Sequence, residues 1–263
     1  MSKKTGLAFL FLAAVLSPVM AKSPPPMMAA GSVEQMRAMV AANPVLARHM
    51  EAQVLSGAAL LKVEKKAQAG DAKAQFDLGS SYINMGILHK AESQKNMTRG
   101  LGWYRRAAVL GYAPAETGLA GAYLSGLGVS KSHAKAIKWL RLAVTQKYAP
   151  AEAQLGELYL VGRGMPKSRR KGFHWIRLAA GQGDTGSEMI LGLMHLMGAE
   201  HVVKSYTKAV RWFLLAQADA KKLGVNLPML ASMLKIAEAH LSPAQMIEVR
   251  RQVQVQLKAQ HSR

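Results

Sequence analysis

The chain carries four copies of a basic segment centred on tryptophan, and this repetition limits the possible folds more than any other feature. One copy reads AKAIKWLRLAV from Ala134 to Val144. All four tryptophans of the chain lie at the centres of such copies, spaced by 36, 36 and 37 residues: Trp103, Trp139, Trp175 and Trp212. A period of this length is typical of α-helical repeat proteins, in which each repeat packs against its neighbours.

Small residues and helix-capping residues keep a fixed distance from each tryptophan. Glycine or alanine stands three residues before it and alanine four residues after it, so we predict a helix whose small residues share a face with the tryptophan. Trp139 is therefore expected to be a packing residue, and its truncation would cost about 3–5 kcal/mol. The predicted N-caps of the four tryptophan helices are Asn96, Ser132, Ser168 and Ser205.

A second helix is predicted before each tryptophan helix. Ala115, Leu119 and Tyr123 follow i, i+4, i+8 spacing, and the other copies repeat this stripe. Glycine-containing segments such as GLGVS at 126–130 separate the two helices and suit a tight connection. An acidic residue in the first turn, where it complements the helix dipole, recurs in three copies: Glu116, Glu152 and Glu188.

Three segments show the repeat at its clearest: AGDAKAQFDLGSSY at 69–82, AYLSGLGVSKSHAKAIKWLRLA at 122–143 and AEAQLGELYLVGRGM at 151–165. They resemble the Sel-one-like repeat (SLR) family, which is related to the tetratricopeptide repeats. The resemblance covers residues 69 to about 218. It implies an all-α fold, namely a right-handed α-solenoid of antiparallel helix pairs, with about four repeats and flanking capping helices.

The expected domain organisation has five parts. Residues 1–21 have the layout of a secretory signal peptide, with Lys3 and Lys4 before an apolar run that ends in small residues. A Pro-rich leader at 22–31, capping helices at 32–68, repeats at 69–218 and capping helices at 219–263 follow. The repeats divide at about 69–110, 111–146, 147–182 and 183–218.

Helices are predicted at 33–42, 44–68, 228–240 and 243–259 in the two capping regions. The last of these should begin with a capping box, because Ser242 is followed three residues later by Gln245. The first repeat carries five extra residues between Met85 and Lys95, which predicts a longer loop between its two helices.

The resemblance implies an adaptor that binds a partner protein segment along the inner groove of the solenoid. Repeat phase places the groove lining at Phe76, Ser80, Ile83, Asn84, Thr117, Leu124, Ser125, Glu157, Leu160, Val161, Met189, Leu193 and Met197. The tryptophan helices would form the outer layer, as in relatives of the family. Their basic residues would then make a ridge: Arg105, Arg106, Lys138, Arg141, Arg169, Arg170, Arg177 and Arg211.

The chain has 35 Lys and Arg against 15 Asp and Glu, a net charge of +20, and loss of Lys3 and Lys4 with the signal would leave +18. This excess favours polyanionic neighbours or serves solubility. Aromatic residues do not interleave with the basic ones on an exposed face, so no specific nucleic-acid binding is expected. The absence of cysteine excludes disulfides and thiolate chemistry.

Three functions follow as hypotheses. The first is an exported, non-enzymatic adaptor, periplasmic or secreted, that acts in envelope regulation, secretion or host interaction. The second is a binder of an anionic envelope polymer or membrane surface through the basic ridge. The third is a hydrolase similar to the β-lactam-processing SLR proteins, which is weakened because those members carry a disulfide in each repeat. Eight histidines form no spaced metal motif, and we predict no catalytic residue, metal or cofactor.

Overall fold

A computed structural model describes residues 33–198, 202–222 and 227–261, and the predicted signal peptide and leader lie outside these ranges. The chain divides into two compact units, Met1–Ala151 (unit 1) and Glu152–Arg263 (unit 2). The described ranges contain thirteen α-helices, which confirms the all-α class.

Unit 1 begins with three helices, α1 (Val33–Ala41), α2 (Pro44–Ala52) and α3 (Gly57–Gln68), and continues with the pairs α4 (Ala72–Leu88) with α5 (Ser93–Val109) and α6 (Ala113–Ser125) with α7 (His133–Thr145). Helix α8 (Ala149–Val161) starts at the end of unit 1 and lies mostly in unit 2. Unit 2 continues with α9 (Arg169–Gly181), α10 (Thr185–Met197), α11 (Tyr206–Lys222), α12 (Pro228–Glu238) and α13 (Pro243–His261).

Glycines bring the two helices of a repeat into backbone contact. A Cβ on Gly79 of α4 would lie 2.9 Å from the carbonyl oxygen of Gly100 on α5, while Gly86 faces Met97. Since residue numbers rise along α4 as they fall along α5, the pair is antiparallel. Gly156 of α8 faces Gly172 of α9 in the same way, with 3.1 Å between its Cβ position and the Gly172 oxygen. The predicted close approach of small residues is confirmed.

The residue after each tryptophan, and not the tryptophan itself, is the main packing residue of the second helix. All four tryptophans are half-buried. The following residues are at most 3 % exposed: Tyr104, Leu140, Ile176 and Phe213. The small residues three before and four after the tryptophan lie four and three positions from this residue, so they share its face. Trp139 packs against the buried core of unit 1, so the prediction that it is a packing residue is confirmed in part, although Leu140 is the more deeply buried.

In the first, second and fourth repeats, the size of the packing residue matches the small residue that faces it on the first helix. A Cβ on Gly79 would lie 2.6 Å from the Tyr104 ring, and one on Gly192 would collide with the ring of Phe213. The second repeat carries Ala120 and Leu140 at these positions, both fully buried. The aromatic rings of the first and fourth repeats thus face glycine, whereas Leu140 leaves room for the methyl group of Ala120. The third repeat differs, because Gly156 faces the aliphatic Ile176.

Most predicted helix starts are confirmed. Ser132 and Ser168 accept hydrogen bonds from the backbone of Lys135 and Lys171, at 3.4 and 3.3 Å, and Ser205 accepts one from the amide of Lys208 at 3.3 Å. Asn96 is not a cap, because α5 begins at Ser93 and Asn96 lies buried inside it.

The extra residues of the first repeat lengthen its helices instead of its loop. Helices α4 and α5 have 17 residues each, against 13 in α6 and α7. Four residues, 89–92, connect α4 and α5. The Arg37 guanidinium of α1 donates to the carbonyls of Ile87 and Gly86 at 2.8 and 2.9 Å, which satisfies the end of the extended α4. The predicted long loop is therefore wrong.

The predicted helix at 44–68 is two helices with a break at 53–56. The break frees the backbone N–H of Leu55, which donates to Ser81 Oγ on α4 at 2.8 Å. The helices predicted at 33–42, 228–240 and 243–259 are present within two residues of their expected ends. The capping box is also confirmed: Ser242 N–H donates to Gln245 Oε1 at 2.8 Å, and Gln245 N–H to Ser242 Oγ at 3.3 Å.

Candidate partner-binding surface

The groove positions predicted in the first repeat are covered by other parts of unit 1. Ile83 is 3 % exposed in the cluster of buried residues that includes Met36 of α1 and Met50 of α2. Asn84, also 3 % exposed, donates to Gln53 Oε1 at 3.0 Å. Asn84 is thus covered by the end of α2, whereas Ile83 packs on α5, where a Cβ on Gly100 would lie 2.6 Å from its side chain. Neither residue lines an open groove.

Phe76 and Ser80 are half-buried in the same unit and contact Tyr104 of α5. The Phe76 ring stacks on Tyr104 with 5.0 Å between ring centroids. The Ser80 hydroxyl lies 2.9 Å from the Tyr104 hydroxyl. These two side chains therefore contribute mainly to packing within the first repeat.

Three predicted positions in the second repeat lie on α6 and are buried. Thr117 Oγ1 and Ser125 Oγ each donate to a carbonyl one turn earlier, those of Ala113 and Gly121, both at 2.8 Å. Leu124 is 2 % exposed. Met189 of α10 is likewise fully buried. The prediction that Thr117, Leu124, Ser125 and Met189 line a groove is wrong, because these side chains offer no surface to a partner.

Unit 2 retains an exposed apolar surface at the ends of its first helices. Val161, the last residue of α8, is 47 % exposed, and Met197, the last residue of α10, is 69 % exposed. Leu160 and Leu193 are half-buried on the same helices. Leu160 packs between α8 and α9, because a Cβ on Gly172 would lie 2.6 Å from its side chain, so it does not line an open groove. We call Val161, Met197 and Leu193 the apolar edge. Single exposed apolar residues are common, but Val161 and Met197 occupy the same position of the third and fourth repeats.

Glu157 lies one turn before Val161 on α8 and is half-buried. Burial raises the pKa of its carboxyl to about 7, with a further upward effect from the nearby Asp184 carboxylate and a smaller downward effect from Arg163. The predicted surface of unit 2 thus contains one carboxyl group that titrates near neutral pH.

The basic residues predicted as a ridge lie on exposed parts of both units, with one exception. Unit 1 exposes Arg105, Arg106, Lys138 and Arg141, and unit 2 exposes Arg169, Arg170 and Arg177. Arg211 is half-buried: it donates to Gln256 Oε1 of α13 at 2.6 Å and lies 5.7 Å from the Trp212 ring centroid. Arg211 therefore contributes to docking of the last helix and does not extend the ridge.

The recurring first-turn acids are buried, which dipole reasoning did not predict. Gln146 Nε2 donates to Glu116 Oε2 at 2.9 Å, and Gln182 Nε2 donates to Glu152 Oε2 at 2.6 Å. Each pair joins the start of a first helix to the residue after its second helix. The sequence does contain this signal, since both pairs have the same spacing of 30 residues.

A cleft of about 820 Å³ lies among α11, α12 and α13 in unit 2. Leu230, Leu234 and Val253 form part of its apolar wall, and Arg250 lies at its rim, 4.0 Å from Glu238. Leu214 faces this cleft and occupies the position where the other repeats carry exposed arginine. An apolar side chain suits Leu214 because residues of α12 and α13, which follow the fourth repeat, line the same cleft.

Histidine and acidic side chains show no metal-binding group in the described parts of the chain, where no cluster of three or more His, Cys, Asp or Glu has a suitable arrangement. His195 is buried, and its Nδ1 lies 3.2 Å from the Val203 carbonyl oxygen. Among the helices that the structure describes, none has the length and apolar character needed to cross a membrane.

The repeated helix pairs match a known family over more than half of the chain. The Sel1 repeat matches residues 72–112, 113–148, 149–184 and 187–216. The chain therefore belongs to the Sel1 repeat family, and the predicted resemblance and solenoid class are confirmed. Proteins of this family generally act in protein–protein interaction and are typically non-catalytic scaffolds.

Two solved structures similar to this chain are repeat proteins of the same kind. One is a protective antigen of uropathogenic Escherichia coli with an SLR fold, at 28 % identity and a TM-score of 0.54, covering 70 % of this chain and 41 % of that one. The other is a Sel1 repeat protein from Oxalobacter formigenes, at 24 % identity and a TM-score of 0.55, covering 77 % and 58 %. The chain spans less than two thirds of either structure. No curated protein matches it.

Proposed function

We propose that this protein is an exported, non-enzymatic adaptor that binds a segment of a partner protein on the apolar edge of unit 2. Its role would lie in envelope regulation, secretion or host interaction, and its location would be periplasmic or secreted. The proposal extends the general protein-binding role of Sel1 repeat proteins to particular residues of this chain.

The exposure of Met197 and Val161 is the observation that supports this surface best. Their equivalents in the first two repeats are covered: Ser125 corresponds to Val161 and is 4 % exposed. Exposed methionine suits a partner site because its flexible thioether adapts to different shapes. Unit 2 thus presents apolar side chains to solvent at a position that unit 1 buries.

A second candidate function is binding of an anionic polymer or membrane surface by the exposed arginines and lysines. The net charge of +20 favours this function, and the seven exposed ridge residues would supply the contacts. Binding of this kind weakens strongly as salt concentration rises, because exposed charges are screened.

Export is supported by the signal-peptide layout of residues 1–21. A mature protein beginning at about Lys22 in the periplasmic or secreted fraction is expected. Full-length protein retained in the cytosol would contradict export.

Site-specific photo-crosslinking in intact cells tests the apolar edge. A photoreactive residue at Met197 should give a defined crosslinked product, and Val161→Glu should abolish it while helical circular dichroism is unchanged. The matched control is a photoreactive residue at Leu178 of α9, which is also apolar and 37 % exposed.

Equal products from Met197 and Leu178 would overturn the apolar edge as a specific site. A product that is stronger at Arg177 than at Met197, and that disappears in high salt, would favour the basic ridge instead.

A further inference from the structure

The fourth repeat replaces a neutral hydrogen-bond partner with a carboxylate. Gln146 and Gln182 donate to the buried Glu116 and Glu152 of their own repeats. Glu188 is the third buried acid of this series, and Asp219 occupies the position that corresponds to Gln182 at the repeat spacing. The amide donor is thus absent from the fourth repeat, and an acid stands in its place.

Glu188 is fully buried, with no exposed area, and neither of its carboxylate oxygens has a hydrogen-bond partner. Asp219 on α11 pairs with Lys222, with 2.7 Å between Nζ and Oδ1, and its side chain is 13 % exposed. Two carboxyl groups therefore act on one another across α10 and α11, and Lys222 compensates Asp219.

The Lys222 cation also acts on Glu188 and favours its charged form, but this is the smallest of the influences on the group. Asp184, the N-cap of α10, adds a further negative group. The basic residues Lys171 and Arg177 of α9 are exposed, as is Lys235 of α12, and Glu238 of α12 pairs with Arg250. Burial is the largest influence on Glu188 and disfavours its charged form, and Asp219 and Asp184 act in the same direction, which together outweigh Lys222.

These conditions raise the pKa of Glu188 to about 9, from an ordinary value of 4.5. The folded repeat then holds a proton that the unfolded chain releases. Between about pH 4.5 and pH 9 the folded state binds more protons than the unfolded state, so its stability falls as pH rises. One proton corresponds to at most a roughly tenfold increase in the unfolding constant per pH unit.

We propose that the fourth repeat is a proton-dependent element, in which a proton on Glu188 allows α10 and α11 to pack around the Glu188–Asp219 pair. Rising pH removes this proton and loosens the α10–α11 pair. Acidic conditions tighten the same pair, and with it the helix that carries Met197. The element exists in the fourth repeat because Asp219 replaces the glutamine of the preceding two repeats.

A reciprocal exchange between the third and fourth repeats tests this element. Asp219→Gln should supply Glu188 with an amide donor and flatten the fall of stability between pH 5.5 and 8.5. Gln182→Asp should create a carboxyl pair with Glu152 and make the pH dependence steeper. Urea unfolding of the full chain at both pH values, followed by tryptophan fluorescence and circular dichroism, gives the two slopes.

Glu188→Gln provides a second variant that removes the titrating group itself. It should unfold at the same urea concentration as the wild type near pH 5, and at a higher one at pH 8.5. The carboxyl carbon of Glu188, followed by NMR, should titrate well above pH 7. Wild-type pH dependence in both Asp219→Gln and Glu188→Gln, or a Glu188 titration near pH 4.5, would overturn the proposal.

Discussion

The second and fourth repeats use the same packing scheme but differ in how they treat a buried acid. In the second repeat, Ala120 and Leu140 fill the space between helices, and Gln146 satisfies Glu116. In the fourth repeat, Gly192 faces Phe213, and Glu188 has no donor. The fourth repeat has a smaller residue on its first helix and a larger one on its second than the second repeat has, so the helices still touch. Glu188, in contrast, has no equivalent of Gln146.

This difference separates two kinds of change in a repeat. A paired change in volume keeps the helices together and alters little else, because close packing tolerates exchange of size between neighbours. Replacement of a donor by an acid in a buried site makes stability depend on pH. The two kinds of change can be tested separately in the same repeat.

The largest expected effect is that of Phe213→Ala in the fourth repeat. Phe213 is completely buried, so its truncation should lower the free energy of unfolding by about 3–5 kcal/mol. Trp212→Ala should cost less, because Trp212 is half-buried. Urea unfolding of both variants measures the difference, and an equal or larger loss from Trp212→Ala would restore tryptophan as the main packing residue.

Gly192→Ala should destabilise the protein by about 1–3 kcal/mol, since its Cβ would collide with the Phe213 ring. The double variant Gly192→Ala with Phe213→Leu recreates the alanine and leucine of the second repeat. It should lose less stability than the sum of the two single variants, in a double-mutant cycle of unfolding free energies. Additive losses would show that the two positions do not exchange volume.

The smallest expected effect concerns the end of the second repeat. Lys147 has a φ of 55°, where the neighbouring repeats place Gly111 and Gly183 with φ of 77° and 84°. Lys147→Gly should therefore stabilise the protein by up to about 1 kcal/mol, because glycine adopts this conformation without steric cost. Thermal unfolding measures the change, and a lower melting temperature would contradict this explanation.

The repeat architecture was predictable because residues with constant spacing report local geometry. Ser132 and Ser168 cap their helices as their phase predicts, and Gly79 and Gly100 meet as small residues should. Trp103 and Trp139 pack against the core but are buried less deeply than the residues that follow them, which are also large and apolar. Because the two residues are adjacent, the sequence pattern alone does not show which of them is the more deeply buried.

The candidate surface was predicted less well, because exposure depends on which distant segment covers a helix. Nothing in the phase of Asn84 shows that its side chain donates to Gln53, the residue after α2. Val161 and Met197 were predicted correctly as exposed residues, whereas their binding role stays a prediction. The buried Glu116–Gln146 pair was recognisable in principle, because Glu152 and Gln182 repeat it at the same spacing.

Segment-resolved hydrogen exchange tests the difference between the two repeats most directly, within one unmodified chain. After correction for intrinsic exchange rates, amide protection in α10 and α11 should fall as the pH rises from 5.5 to 8.5. Protection in α6 and α7, where Gln146 satisfies Glu116, should change much less. A parallel change in both repeats, or constant protection in α10 and α11, would contradict the account.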